Sequence, residues 1–138
     1  MSPAEVYLKN MVENANPIQL LLMLYDKALG CIEDSIEVIE KGLNNPQNVK
    51  RKAENLTKAM DILIVLKSSL DSKKGQEIAG NLDEIYEILI NEIVRANMKN
   101  DVEILRKIKV ILEELREAWE EAEKNVFKKE EVVLKSDE

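Results

Sequence analysis

Histidine is absent from the 138 residues of this chain, and cysteine occurs once, at Cys31. Without histidine, neither a carboxylate-histidine di-iron centre nor a Ser-His-Asp set can be assembled. The chain also has no glycine-rich phosphate loop and no zinc-ligand spacing. We expect Cys31, which falls within an apolar helical pattern, to be a small buried hydrophobe. The sequence therefore predicts no enzyme activity, no cofactor and no metal site.

Glycine, proline and aromatic residues are also scarce, with four glycines, three prolines and 4% aromatics. So few turn-forming residues argue against an all-β fold, and so few aromatics predict a core of Leu, Ile and Val. A single cysteine allows no intramolecular disulfide, which favours a reducing compartment. No secretory signal and no run of about 20 apolar residues is present. We therefore expect a cytoplasmic protein that is not inserted in a membrane.

Basic charge is in deficit, since 20 Lys and Arg residues face 27 Asp and Glu residues, for a net charge of −7. Phosphate backbones and anionic lipid surfaces attract proteins that present a basic face. The charge balance therefore predicts no nucleic-acid partner.

Apolar residues recur at three- and four-residue steps from Asn16 to Gly42, which predicts one complete amphipathic helix. Asn16 can cap its first turn, Pro17 suits the first helical position, and Gly42 can adopt the left-handed conformation that ends a helix. The predicted buried face contains Ile18, Leu21, Leu22, Tyr25, Leu29, Ile32, Ile36 and Ile39.

Three more helical patterns follow, separated by predicted turns at 43–47, 71–75 and 97–101. Asn45 with Pro46 resembles a cap and first turn, and Asn100 with Glu103 fits a capping box. The predicted buried faces contain Val49, Ala53, Leu56, Met60, Leu63, Leu66 or Lys67, and Leu70; then Ile78, Leu82, Ile85, Leu89, Ile93 and Ala96; then Val102, Leu105, Ile108, Leu112, Leu115, Trp119 and Ala122.

Short turns place consecutive helices antiparallel. The predicted fold is all-α, an antiparallel up-down-up-down four-helix bundle with a short extra N-terminal helical segment. We predict a single domain over 1–138, with the N-terminal segment at 1–15, the bundle at 16–125 and a weakly ordered tail at 126–138. A chain of this length can bury roughly 68% of its unfolded surface in one core.

The later helices carry more apolar residues than the roughly three positions in seven that a bundle core needs. The surplus residues are Ile62, Val65, Ile88, Ile90, Val94, Ile104 and Ile111. A thick core, or flanks covered by the N-terminal segment, would explain them. Grooves that accept an amphipathic partner helix would explain them equally well.

Several motifs, taken in order, resemble the flagellar secretion chaperone FliS family. The run NPIQLLLMLYDKAL (16–29) carries the Pro-x-x-Leu and Met-Leu-Tyr-Asp pieces of that family. Further pieces are Gly-x-Glu-Ile-Ala at 75–79, Leu-x-x-x-Tyr at 82–86, Ala-Asn-x-x-x-Asp at 96–101 and LREAW at 115–119. Tyr7 occupies the place of an N-terminal tyrosine of the family. Many members have two glycines where this chain has Gly75 alone, and the tail after Trp119 matches none of these motifs.

The resemblance implies an antiparallel helical bundle that acts in bacterial flagellum biogenesis and type III protein export. Such a chaperone binds the disordered C-terminal segment of flagellin in the cytoplasm, prevents premature polymerisation and aids delivery to the export apparatus. Flagellin and components of the export apparatus are the implied partners. In the family the N-terminal segment lies near the binding surface, so we hypothesise that Tyr7 covers part of it without client.

Our predicted partner-binding residues are apolar positions that mostly lie away from the predicted buried faces: Tyr7, Met23, Ile62, Val65, Ile90, Val94 and Ile111. We expect Tyr25 and Trp119 to lie in the core. The alternative function is a structural or regulatory helical bundle that self-associates through the same surfaces. A chaperone should change its oligomeric state when it binds client, whereas a self-assembling bundle should be a stable oligomer alone.

Overall fold

The computed structural model describes the backbone of residues 17–70 and 76–136 and the side chains of 18–70 and 80–125. In these ranges the chain forms α1 (Pro17–Lys41), α2 (Pro46–Ser68), α3 (Gln76–Lys99) and α4 (Val102–Ser136). The predicted segment 1–15, the cap Asn16 and the turn 71–75 lie outside the described residues. Helix α4 continues to Ser136, and the weak order predicted for 126–138 stays a prediction.

Among the described residues, α1 packs on α2 and α4, and α3 packs on α2 and α4, whereas the backbones of diagonal helices stay apart. The helices therefore stand at the corners of a square. Ion pairs fix their directions, because Asp26 of α1 pairs with Arg116 late in α4 while Glu40 pairs with Arg106 early in α4. This is the predicted antiparallel four-helix bundle, and the fold class is confirmed.

The α1–α2 connection follows the sequence signals. Gly42 has φ +110°, and its N–H donates to the carbonyls of Val38 and Ile39 at 3.2 and 3.1 Å, which ends α1. The side chain of Asn45 accepts from the backbone N–H of Gln47 at 2.8 Å and caps α2, which begins at Pro46.

The α3–α4 connection differs from the predicted turn at 97–101 and from the predicted Asn100–Glu103 capping box. Helix α3 continues to Lys99, and Asn100 adopts φ +51°, which ends α3 in place of a glycine. Asp101 is the residue that caps α4, because its carboxylate accepts from the N–H groups of Glu103 and Ile104 at 3.0 and 3.3 Å.

The core is aliphatic, with two tyrosines at its centre. Its least exposed large side chains are Tyr25, Ile32, Val38, Leu56, Leu63, Leu66, Tyr86, Leu89, Ile93, Leu105, Ile108 and Leu112. Leu21, Ile36, Ile39, Leu82, Ile85, Leu115 and Trp119 pack against it from the edges. Tyr25 is therefore confirmed as a core residue, Trp119 packs at the core edge, and Cys31 is buried as expected.

The predicted buried faces are wrong at the margins of two helices. Val49 and Ala53, at the start of α2, are exposed rather than buried. Ile62 and Ile104 are buried although the pattern placed them off the main faces. Each helix of a square bundle contacts two neighbours, so its buried arc is wider than a single stripe.

Candidate functional site

Two tyrosines and a tryptophan from three helices meet inside the bundle. The hydroxyls of Tyr25 and Tyr86 hydrogen-bond to each other, and Trp119 Nε1 donates to Tyr25 Oη at 3.2 Å. We call these three residues the hydroxyl layer. Burial raises the pKa of both tyrosines. Both phenols therefore stay protonated at neutral pH, and the layer joins α1, α3 and α4 rather than offering a base.

The side of the bundle formed by α1 and α4 is charged. Glu33 pairs with Lys109 at 3.5 Å, Glu40 pairs with Arg106 at 2.9 Å, and Arg116 contacts Asp26 at 2.5 Å. Ile36 and Val110 lie beside the Glu33–Lys109 and Glu40–Arg106 pairs, and these six residues border an open cavity of about 750 Å³. We call the surface that lines this cavity the α1–α4 face: Glu33, Ile36, Glu37, Glu40, Lys41, Arg106, Lys109, Val110 and Glu113.

The opposite side, between α2 and α3, is apolar and open to solvent. One flank of α2 contains Met60, Ile64 and Lys67, which are four and three residues apart. Lys67 pairs with Asp83 and Glu87 of α3 at 3.1 and 3.6 Å. That flank therefore faces α3. The pairing with Asp83 raises the pKa of Lys67, so the cation persists at neutral pH.

The facing flank of α3 follows from the same ion pair. Ile90 and Val94 follow Glu87 by three and seven residues, so they lie on the same flank of α3 and face α2. Met98 continues this line one turn later. Met98 is 80% exposed. We call the strip of Val49, Ala53, Met60, Ile64, Ile90, Val94 and Met98 the α2–α3 groove. It contains four of the large exposed apolar side chains of the described residues.

Polar contacts cross the α2–α3 groove near both of its ends. Lys67 and its two carboxylate partners close one end. At the other end Lys52, only 8% exposed, donates to the carbonyl of Asn97 at 3.2 Å and to Asn100 Oδ1 at 2.5 Å. Between Lys52 and Lys67 the helix rises about 22 Å, which is the length of roughly four helical turns.

The predicted partner-binding residues fall in three places. Ile90 and Val94 lie in the α2–α3 groove. The α1–α2 side contains Met23, Ile62 and Val65. Asp34 of α1 binds Arg51 and Asn55 of α2, and Met23 shares the flank of Asp34. Ile62 and Val65 follow Asn55 by seven and ten residues, so they share its flank of α2. Ile62 is 8% exposed and belongs to the core, whereas Met23 is 44% exposed.

The remaining two residues are separate. Ile111 is half-buried. Lys109 lies on the flank of α4 that faces α1, and Ile111 lies on the opposite flank, which faces α3. Tyr7 lies outside the described residues. The sequence prediction missed Ile64 and Met98, the exposed apolar residues that extend the groove, although their positions one turn from Met60 and Val94 were available in the sequence.

The described residues contain no helix long and apolar enough to span a membrane, and no cluster of three acidic or cysteine side chains suited to a metal ion. Burial raises the pKa of the Cys31 thiol, which favours its protonated form over the nucleophilic thiolate. Within the described residues the apolar groove, rather than a chemical centre, is the candidate site.

Comparison with known proteins gives one family. The model of the flagellar protein FliS matches residues 1–126. The flagellar secretion chaperone FliS of Salmonella typhimurium is 35% identical over 119 residues, covering 86% of this chain and 84% of the relative. Those of Vibrio cholerae and Bacillus subtilis are 32% and 31% identical, covering 85% and 88% of this chain and 82% and 86% of theirs. The resemblance noted in the motifs is confirmed, and the chain belongs to the FliS family.

Proposed function

We propose that this protein is a chaperone of flagellar export that binds the disordered C-terminal segment of flagellin, with the α2–α3 groove as a principal contact. The observation that carries the proposal is the exposed apolar strip of this groove between two polar ends. The relatives that match most of the chain are named flagellar secretion chaperones, which supports the client class. In this proposal the protein acts in the cytoplasm and has no enzyme activity.

The dimensions of the groove indicate the form of the bound client. A length of about 22 Å accommodates an amphipathic client helix of about 15 residues at 1.5 Å per residue. Side chains at i, i+4 and i+7 of that helix would seat between Ile64, Ile90 and Val94. Met98 would contact the client where it leaves the groove.

Binding of this kind blocks premature assembly through burial. A disordered segment that folds onto the groove covers the apolar side chains that would otherwise pair with other flagellin subunits. The folded bundle then presents the client to components of the export apparatus. Met23, Val65 and Ile111 extend the apolar contact to the neighbouring sides, and Ile62 supports them from within the core.

Calorimetric titration with a peptide covering the flagellin C-terminal region, at two temperatures, tests the proposal. We expect one-to-one binding with a large negative heat-capacity change, because the client folds as it buries apolar surface. Absence of binding would contradict the chaperone function. A stable client-free oligomer through the α2–α3 groove would favour the self-associating bundle instead.

A matched pair of variants tests the place of binding. Val94→Asp puts a charge into the α2–α3 groove, whereas Val110→Asp makes the same change on the α1–α4 face, at a similarly exposed valine. We expect Val94→Asp to weaken client binding by about 30-fold or more, as for a desolvated anchor residue. Val110→Asp should leave the affinity unchanged, and equal losses in both would show that the groove is misplaced.

The N-terminal segment enters the proposal as a cover for the apolar surface when client is absent. Deletion of residues 2–12 should raise the affinity for the client peptide, because the client no longer competes with the segment. Unchanged affinity would exclude this role for Tyr7.

A further inference from the structure

We propose that the α2–α3 groove fixes the direction of its client helix, with the helix N-terminus at the Lys67 end and the helix C-terminus at the Lys52 end. This inference rests on the proposed function and adds to it the polarity of the bound segment. Since α3 runs from Asp83 toward Asn97 along the groove, the client helix lies parallel to α3 and antiparallel to α2. Two polar contacts of opposite net charge carry the inference.

The Lys67 end of the groove is negative. One ammonium pairs there with the carboxylates of Asp83 and Glu87 at 3.1 and 3.6 Å, so one negative charge is in excess. Glu84 is exposed on the same turn of α3 and adds a further carboxylate. The side chains of Asp83 and Glu87 are 49% and 56% exposed, so both carboxylates are open to the end of a bound helix.

The Lys52 end of the groove is positive. The two acceptors of the Lys52 ammonium, the carbonyl of Asn97 and Asn100 Oδ1, are uncharged oxygens, so the contact keeps the charge of the lysine. The C-terminal carbonyls of α3 offset about half of that charge. Lys52 is also only 8% exposed, and a buried charge is screened less than one in water.

A client helix is a dipole of matching length. Its unpaired N–H groups place about half a positive charge at the N-terminus, and its unpaired carbonyls place about half a negative charge at the C-terminus. Lys52 and Lys67 are about 22 Å apart along α2, which is the length of a helix of about 15 residues. A helix that fills the groove therefore brings both of its ends to the charged contacts, and only one direction pairs opposite signs at both.

Nuclear magnetic resonance of the full chain with an uncharged probe measures the direction. The probe is an end-blocked amphipathic peptide with leucine at i, i+4 and i+7 and uncharged residues elsewhere, and it carries a nitroxide at its first or its last residue. Ile64 lies one turn from Lys67, whereas Met98 lies beside Asn97 of the Lys52 contact. We expect the N-terminal nitroxide to broaden the Ile64 methyl signal and the C-terminal nitroxide to broaden the Met98 methyl signal.

The opposite pairing of nitroxides and methyl signals would overturn the inference. Equal broadening of both signals by both nitroxides, or broadening by neither, would also overturn it. Calorimetric titration with the flagellin peptide decides the chaperone function separately, because it does not depend on the direction of the bound helix.

Removal of charge provides a matched pair of variants. Asp83→Asn combined with Glu87→Gln removes the negative end, so we expect the affinity for the probe to fall about threefold. Both nitroxides should then broaden both methyl signals. Glu33→Gln combined with Glu37→Gln neutralises two carboxylates on the α1–α4 face and should change neither result. A direction that persists in the groove variant, or that is lost in the α1–α4 variant, would overturn the inference.

Discussion

The α2–α3 groove and the α1–α4 face lie on opposite sides of one bundle and are built from different side chains. Across the α1–α4 face, ion pairs connect the helices outside and the Trp119–Tyr25 hydrogen bond connects them inside. Among the described residues, polar contacts across the α2–α3 groove occur only near its two ends. The exposed side chains of Ile64 and Val94 lie between these contacts. A bundle can therefore hold its helices together on one side and offer apolar surface on the other.

Two isoleucines of α2 sharpen the distinction between core and groove. Ile62 is 8% exposed and Ile64 is 48% exposed. Ile62→Ala should lower the free energy of unfolding by about 2–4 kcal/mol, because it leaves a cavity in the core. Ile64→Ala should change stability little and lower affinity for the client peptide. Urea unfolding and calorimetry of both variants check this, and equal stability losses would place the groove within the core.

Substitutions of Lys52 and Lys109 compare a polar contact of the α2–α3 groove with one of the α1–α4 face. Lys52→Met removes a buried ammonium and leaves Asn97 O and Asn100 Oδ1 without their donor. We expect a loss of about 1–3 kcal/mol in unfolding free energy. Lys109→Met on the α1–α4 face should produce no measurable loss, since exposed ion pairs contribute little. A larger effect at Lys109 would contradict this comparison of the two sides.

The hydroxyl layer predicts a pH effect. Burial raises the pKa of Tyr25 and Tyr86, so the folded chain retains two phenolic protons that the unfolded chain releases near pH 10. Stability from this source is complete below pH 10 and is lost as the pH rises further. Absorbance at 295 nm should show two of the three tyrosines ionising only on unfolding. Ionisation of all three in the folded protein would exclude a buried layer.

The smallest effects concern two exposed helical glycines, Gly30 of α1 and Gly80 of α3. A Cβ at either position meets no atom within 4 Å. Substitution of each by alanine should raise the free energy of unfolding by about 0.5–1 kcal/mol through helix propensity. Thermal unfolding measures both, and a destabilised Gly80→Ala variant would indicate a contact made by residues outside the described ranges.

Local rules in the sequence determined the helices and most of their ends. Gly42 and Asn45 act as predicted because glycine tolerates positive φ and an Asn side chain can accept from the first turn. Helical spacing correctly predicted that Tyr25, Leu63, Leu89 and Leu105 are buried, one from each helix of the bundle. The motifs also fixed the family, since their order spans the chain.

Only the tertiary structure decided how wide each buried face is and where surplus apolar residues lie. Ile62 lies off the predicted buried face of α2, yet it packs inside because α2 contacts a second helix, α1, on that flank. Ile64, two residues later, faces solvent on the flank toward α3. The hydroxyl layer and the ion pairs between α1 and α4 join residues that are distant in sequence, such as Tyr25 with Trp119 and Glu33 with Lys109. Helical periodicity describes one helix at a time, whereas these contacts depend on how far each helix is turned about its axis when it packs.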